Sequence, residues 1–267
     1  MTARSRVLWP VLCIAALAAA FFWQPLYVDA VDGYEDIVFA IAPSAPRAFA
    51  YGERHFSASS PLLYDLPRAE RYFEAARGID PSIPFLYHEL ARIAFLKGNF
   101  TLALQDINSQ ILLWGDKEPN SYYVRGLIEG YAGQYDVAAN DYDHYLQFDP
   151  HDWAAINDYT WVLLKAGRFV DASVAALKGL AYFPTNPWLL NSEATALFEM
   201  HRPNDALADA LRAEAAVGTV TEAQWLTAYP GNDPASASDG LDSLRTAIQK
   251  NVVAIRASLQ SATSSTQ

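Results

Sequence analysis

From about residue 69 onward, apolar positions recur three and four places apart in blocks, the spacing of a helix with one buried face. Small residues punctuate these blocks at a fixed interval. Ala69, Ala103, Ala138, Ala172 and Ala206 are separated by 34, 35, 34 and 34 positions. Gly98, Gly133 and Gly167 form a second series, continued at the same spacing by His201. Two places after each stand Phe100, Tyr135, Phe169 and Pro203, and a third series runs through Ala91, Gly126, Thr160 and Ala194. Pro81, Pro150 and Pro184 close units, with Gly115 in the equivalent place of the unit that carries one extra residue.

Each unit therefore reads as helix, glycine-containing turn, helix, proline-containing turn. In "NDYTWVLLKAGRFVDASVAALKGLAYFPTN" the inward face of the first helix holds Tyr159, Val162 and Leu163. Gly167 then permits the turn, Phe169 enters the second helix, and Ala172 allows close approach of the pair. A large residue at Ala172 is expected to cost about 1–3 kcal/mol through overpacking.

This pattern resembles the tetratricopeptide repeat (TPR) family, over about residues 46–216. The resemblance implies an all-α, right-handed α-solenoid of helical hairpins. Three units are clear, one is weaker, and a degenerate one leads in, where Pro61 interrupts the preceding helix. Gln110 and Tyr145 stand where the family keeps a small residue, and Pro203 replaces an aromatic, so those units are expected to pack less regularly.

The pattern is different at the start of the chain. Arg4 and Arg6 precede an unbroken apolar run from Val7 to Trp23. Its seventeen residues make a helix of roughly 25 Å, against a hydrocarbon core of about 30 Å. Leu26, Tyr27 and Val28 extend it, and the aromatic residues from Phe21 to Tyr27 suit a membrane interface. The expectation is an uncleaved transmembrane anchor over 7–28, with the N-terminus cytoplasmic and the repeats on the extracytoplasmic (periplasmic or extracellular) side. Ala18-Ala19-Ala20 and Val28-Asp29-Ala30 also offer cleavage sites, and cleavage would make the protein secreted.

The expected organisation is an anchor or signal segment (1–30), a lead-in with a degenerate first repeat helix (31–68), repeats (69–218) and C-terminal helices (219–260). Within the last, "GNDPASASDG" (231–240) reads as a flexible linker. Leu241, Leu244, Ile248, Val252, Ile255 and Leu259 then form one apolar stripe, the pattern of a capping helix over the last repeat. Residues 261–267 read as a disordered tail.

Composition narrows the chemistry. A net charge of −11 with no basic stripe argues against nucleic-acid binding. The single cysteine, Cys13, allows no intrachain disulfide and no cysteine-based metal site. "YAGQYDVAANDYDHYLQFDPHDW" (131–153) concentrates aspartates and histidines, but the period makes Tyr135 to Phe148 a second helix. Asp136, Asn140 and Asp143 or His144 then share its outer face, while Val137, Ala138 and Leu146 point inward. Asp149 and Asp152 flank a turn, where Asp is an ordinary cap. His88-Glu89-x-x-Arg92 lacks the second imidazole of a zinc-protease helix, and no phosphate loop or nucleophile elbow is present. No cofactor, no metal site and no enzyme activity are expected.

In the repeats that this chain resembles, first helices line a concave groove that binds peptides or partner helices. Carried over by position, the groove face is Phe85, His88, Arg92 and Phe95, then Tyr123, Leu127 and Tyr131, then Asn157, Trp161 and Lys165, and finally Trp188, Asn191, Thr195 and Phe198. These places are mainly aromatic, so the carboxylate clamp of chaperone-binding members is not implied. Tyr122, Leu190 and Ile156 lie one face round and are expected to pack between helices. The reading is a scaffold for an apolar, aromatic-bearing peptide or helix in a membrane or envelope complex. The alternatives are a saccharide or cell-wall-polymer binding protein, since Trp, Tyr and Asn also suit sugar rings, and an envelope hydrolase, which needs acid–base residues converging in one cleft.

Overall fold

The structure, a computed structural model, describes residues 23–229 and 231–264. Among the described residues the chain is all helical, with short 3-10 turns at Gly115–Lys117 and Pro234–Ser236 and no strand. The helices fall into two compact units, one ending at Ile83 and one beginning at Pro84.

The first unit holds α1 (23–41), α2 (Ala45–His55) and α3 (Leu66–Ile79). Asp65 caps α3 by accepting from the Arg68 amide at 2.9 Å. α2 ends at His55, and Pro61 falls in the loop that follows. Gly52 lets α2 close on α3, because a Cβ there would stand 2.6 Å from the Phe73 ring. The expected membrane span lies outside the described residues up to residue 22, and its residues 23–28 are helical, within α1. Among the described residues no helix is long and apolar enough to cross a membrane.

The second unit stacks four hairpins: α4 (Leu86–Leu96) with α5 (Phe100–Trp114), α6 (Asn120–Tyr131) with α7 (Tyr135–Tyr145), α8 (Trp153–Lys165) with α9 (Phe169–Tyr182), and α10 (Pro187–Glu199) with α11 (Pro203–Val217). All five alanines of the 34-residue series are fully buried, and Phe100, Tyr135, Phe169 and Pro203 are each the first residue of a second helix. The hairpin turns are copies of one another. Asn99, Gln134, Arg168 and Arg202 donate their amides to the carbonyls of Ala94, Glu129, Leu163 and Leu197 at 2.8–2.9 Å. The residue before each donor is left-handed: Gly98, Gly133, Gly167 and, at φ 60°, His201. This is the helix-ending bond that runs five residues back, which needs a positive φ at one position.

Pro203 does not disturb its unit as expected. It occupies the first turn of α11, where its missing N–H has no intrahelical role. Tyr145 is accommodated too, its hydroxyl donating to Asp152 at 2.8 Å. Gln110 carries the irregularity, being fully buried with no hydrogen-bond partner for its amide oxygen or nitrogen.

Beyond the hairpins come α12 (Glu222–Ala228), opened by a Thr221–Gln224 capping box, and α13 (Ala237–Ser264). Residues 231–240 are not one linker, since Pro234–Ser236 is a 3-10 turn and Ala237–Gly240 already belongs to α13. α13 also runs through Ser264, into the expected tail. Its inner face packs Val252 and Ile255 on Ala206 and Ala210 of α11, covering the last hairpin.

Candidate functional site

Within the second unit the first helices α4, α6, α8 and α10 approach one another more closely than the second helices do, so they form the inner side of the stack. Two ladders of side chains cross this inner side.

The first ladder is aromatic and comes from the C-terminal halves of α4, α6 and α8. The Phe95 ring meets Tyr131 edge-on at 5.1 Å, and Tyr131 meets Trp161 at 5.2 Å. Gly130 makes room for the indole, since a Cβ there would lie 2.8 Å from it. Phe95 and Trp161 are half-buried, whereas Tyr131 is 58% exposed. Lys165, one turn beyond Trp161, is exposed, and Leu127 is half-buried on α6.

The second ladder is polar. Tyr123 donates its hydroxyl to Asp158 Oδ2 at 2.8 Å, Asn157 Nδ2 donates to the other carboxylate oxygen at 3.3 Å, and Ser192 Oγ donates to Asn157 Oδ1 at 3.0 Å. Desolvation pushes Asp158 up to about 6, against the pull of the Tyr123 and Asn157 bonds. The same surroundings and the neighbouring Asp158 raise the Tyr123 phenol well above its usual value.

Both ends of the sequence-derived groove differ from its middle. At the start, Phe85 takes a left-handed conformation (φ 63°) as N-cap of α4 and packs edge-on against His88. His88 is buried, and burial together with Arg92 pushes its imidazole down to about 3, so it is neutral at physiological pH. Arg92 pairs with Glu89 at 2.7 Å. At the far end, Trp188 is only 7% exposed; its indole N–H donates to the Tyr229 hydroxyl at 2.9 Å, and its ring packs on Trp153. Asn191 and Thr195 both accept from Asn251 Nδ2 of α13, at 2.8 and 3.3 Å. Phe198 packs in the cluster that α13 completes. Trp188, Asn191, Thr195 and Phe198 thus face the protein's own C-terminal segment. What the structure brings together on open surface is Phe95, Tyr131, Trp161 and Lys165. Leu190 and Ile156 are buried between helices, and Tyr122 packs on His144.

The aspartate-rich stretch resolves into separate roles. Asp136, Asn140 and Asp143 are exposed, and Asp152 caps α8. Val137 is exposed rather than inward, because the burial of Ala138, Ala139 and Tyr142 turns the apolar face away from it. Asp141 is buried and takes a two-pronged ion pair from Arg125, at 2.5 and 2.7 Å. Burial and the nearby Asp141 charge push Glu129, beside this pair, up to about 7. His144 reaches away to Asp116 at 2.8 Å. On the outer side, a cleft of about 430 Å³ lies between α7, α8 and α9, lined by Tyr159, Arg168, Lys178 and neighbours. It contains none of the groove residues. Among the described residues the one grouping of three metal-ligating atoms is Asp32, Glu35 and His55 in the first unit. Sequence reasoning missed it, because His55 lies twenty positions from Glu35 with no motif connecting them.

No family model and no curated protein matches the chain. Solved structures do. One, a crystal structure of MamA protein, superposes with a TM-score of 0.56 at 14% identity, covering 65% of this chain and 92% of that one. Another, YrrB, described as a TPR protein with an unusual peptide-binding site, gives a TM-score of 0.57 at 14% identity, covering 69% of this chain and 93% of that one. A further MamA structure gives 0.55 at 16% identity over 64% of this chain. At such identities the likeness is one of fold: stacked helical hairpins of the TPR type.

Proposed function

We propose that the protein is a non-catalytic scaffold that holds a partner's peptide or helix along the inner side of its second unit. The observation that carries this reading is the Phe95–Tyr131–Trp161 ladder. Three rings in edge-on and tilted contact on three successive first helices present continuous apolar area, with the exposed Tyr131 at the centre. Rigid aromatic groups of this kind bury area at small entropic cost, which is why they anchor interfaces. Lys165 at one edge favours a partner carrying a negative group near its aromatic anchor. The fold shared with YrrB, itself described as having a peptide-binding site, supports the reading. The apolar run from Val7 to Trp23 behind Arg4 and Arg6 supports display of the scaffold on the outer side of a membrane, within an envelope complex.

The test is cross-linked co-purification from membranes, comparing wild type with a Tyr131→Ala, Lys165→Glu double variant. Both residues are exposed, so the fold is expected to survive. A protein partner present in wild type and lost in the variant is the expected result. Partners retained equally in both would place binding elsewhere and overturn the groove. Retention in the membrane pellet after an alkaline wash is expected for the anchor, and release of the chain into the supernatant would overturn it.

A further inference from the structure

In the first unit, Asp32 and Glu35 stand three residues apart on one face of α1 and point at His55 in the last turn of α2. Glu35 and His55 are both fully buried, and Asp32 is one-fifth exposed at its side chain. The ligand atoms of the three all lie within 4.8 Å of one another. His55 Nε2 is 2.7 Å from Glu35 Oε2 and 3.8 Å from Asp32 Oδ1.

The groups behind these atoms are as telling as the atoms. His55 Nδ1 lies 2.8 Å from the Leu63 carbonyl oxygen, which can only accept, so Nδ1 carries a proton. The inward nitrogen, Nε2, is therefore the one left to bind something. Arg68 holds the outer oxygen of Asp32 at 2.9 Å, and Arg54 holds the outer oxygen of Glu35. Each carboxylate keeps one oxygen turned inward. If His55 were simply an imidazolium, its single inward N–H would satisfy Glu35. Asp32 Oδ1, a buried atom without a hydrogen-bond partner, would be left over. Burying a carboxylate oxygen unsatisfied is costly. A cation between the three satisfies all of them.

We infer that Asp32, Glu35 and His55 bind a divalent transition cation of the zinc class. One imidazole nitrogen and two carboxylate oxygens make a three-ligand set, with a fourth position left for water. A histidine whose other nitrogen donates to a backbone carbonyl is the arrangement in which imidazole binds metal. Calcium and magnesium are disfavoured, since they take all-oxygen shells of six or more ligands. Zinc–ligand distances of about 2.0–2.2 Å require the Glu35–His55 pair to open slightly. The ion would tie α1 to α2, making the order of α1 depend on metal.

The experiment is calorimetric titration of Zn²⁺ into the detergent-solubilised full chain after chelator treatment, with the thermal midpoint read alongside. The expected result is one ion per chain at micromolar affinity or tighter, and a midpoint raised by excess Zn²⁺. Asp32→Asn keeps the side-chain size and is expected to weaken binding at least tenfold, and His55→Gln to abolish it. A His144→Gln, His151→Gln variant is expected to bind as wild type does. If His55→Gln fails to fold, Asp32→Asn decides alone. Absence of saturable one-to-one binding, affinity unchanged in Asp32→Asn, or loss in the His144, His151 variant would each overturn the site.

Discussion

In the unit ending at Ile83, α1 is held by charged side chains. Glu35 meets Arg54 and His55 of α2, while Asp32 and Asp36 meet Arg68 of α3, and Asp36 also accepts from Arg71 and Tyr72. In the unit from Pro84 onward, the hairpins are held by small residues packed against rings: Ala138 and Gly126 let α6 and α7 touch, with the Tyr142 ring 3.2 Å from where a Gly126 Cβ would stand. The first unit has directional contacts between residues 19 to 36 positions apart, and Ala69 is its one member of the alanine series. The second unit adds to its own polar contacts, such as Arg125–Asp141, a period of small residues packed against rings. Close packing tolerates substitution by similar shapes and so leaves a compositional trace. An ion-pair network is satisfied by particular partners and leaves none.

The sharpest way to break the contrast is to remove one buried charge from the first unit. Glu35→Ala strands His55 and Arg54 and is expected to cost about 3–5 kcal/mol, read as a lowered urea midpoint for loss of helix in the full chain. Ala172→Leu attacks the other kind of packing. It inserts a side chain at a fully buried inter-helix contact and is expected to cost about 1–3 kcal/mol. An equal loss from Glu35→Ala and from an exposed Asp136→Ala control would show that the first network contributes nothing.

Gln110→Met tests whether the second unit gains by becoming more apolar. It replaces a buried amide lacking partners with a side chain of similar shape, and stability is expected to rise by about 1 kcal/mol. A lower midpoint would show that the amide finds water.

The smallest effect is a slope rather than a step. Glu129 is pushed up to about 7 in the folded chain from an unfolded value of 4.5, so folding takes up protons between these values. Its contribution is therefore full below about pH 4.5 and is lost as pH rises through 7. Glu129→Gln is expected to flatten that decline in chemical denaturation across the interval, and an unchanged slope would count against it.

The repeat unit was legible because its determinants are local and recur. A left-handed turn residue, a helix-starting ring two places later and an alanine where helices cross each serve one contact, and the same contact returns every 34 or 35 residues. Even His201 was placed by register alone, and it adopts the glycine-like φ of its series. The candidate groove was legible only in part. Phe95, Tyr131 and Trp161 hold different repeat positions, Gly130 and Leu127 being the equivalents of Phe95 and Trp161 in α6, and the packing of successive first helices brings their rings together. Trp188, Asn191 and Phe198 stand at the repeat positions of Phe85, Asn157 and Phe95, yet Tyr229 and α13 cover them.

What the sequence by itself determined, then, is the hairpin architecture from Pro84 to Val217, with its turns, caps and inter-helix alanines, because helical periodicity and the positive-φ requirement act over a few residues. Tertiary structure alone decided which inner-face residues stay open, that Asp141 is an inward ion-pair partner, and that Asp32, Glu35 and His55 meet. Those outcomes depend on which aperiodic segment fills a neighbouring space, and one helix's own pattern carries no record of the surface laid over it.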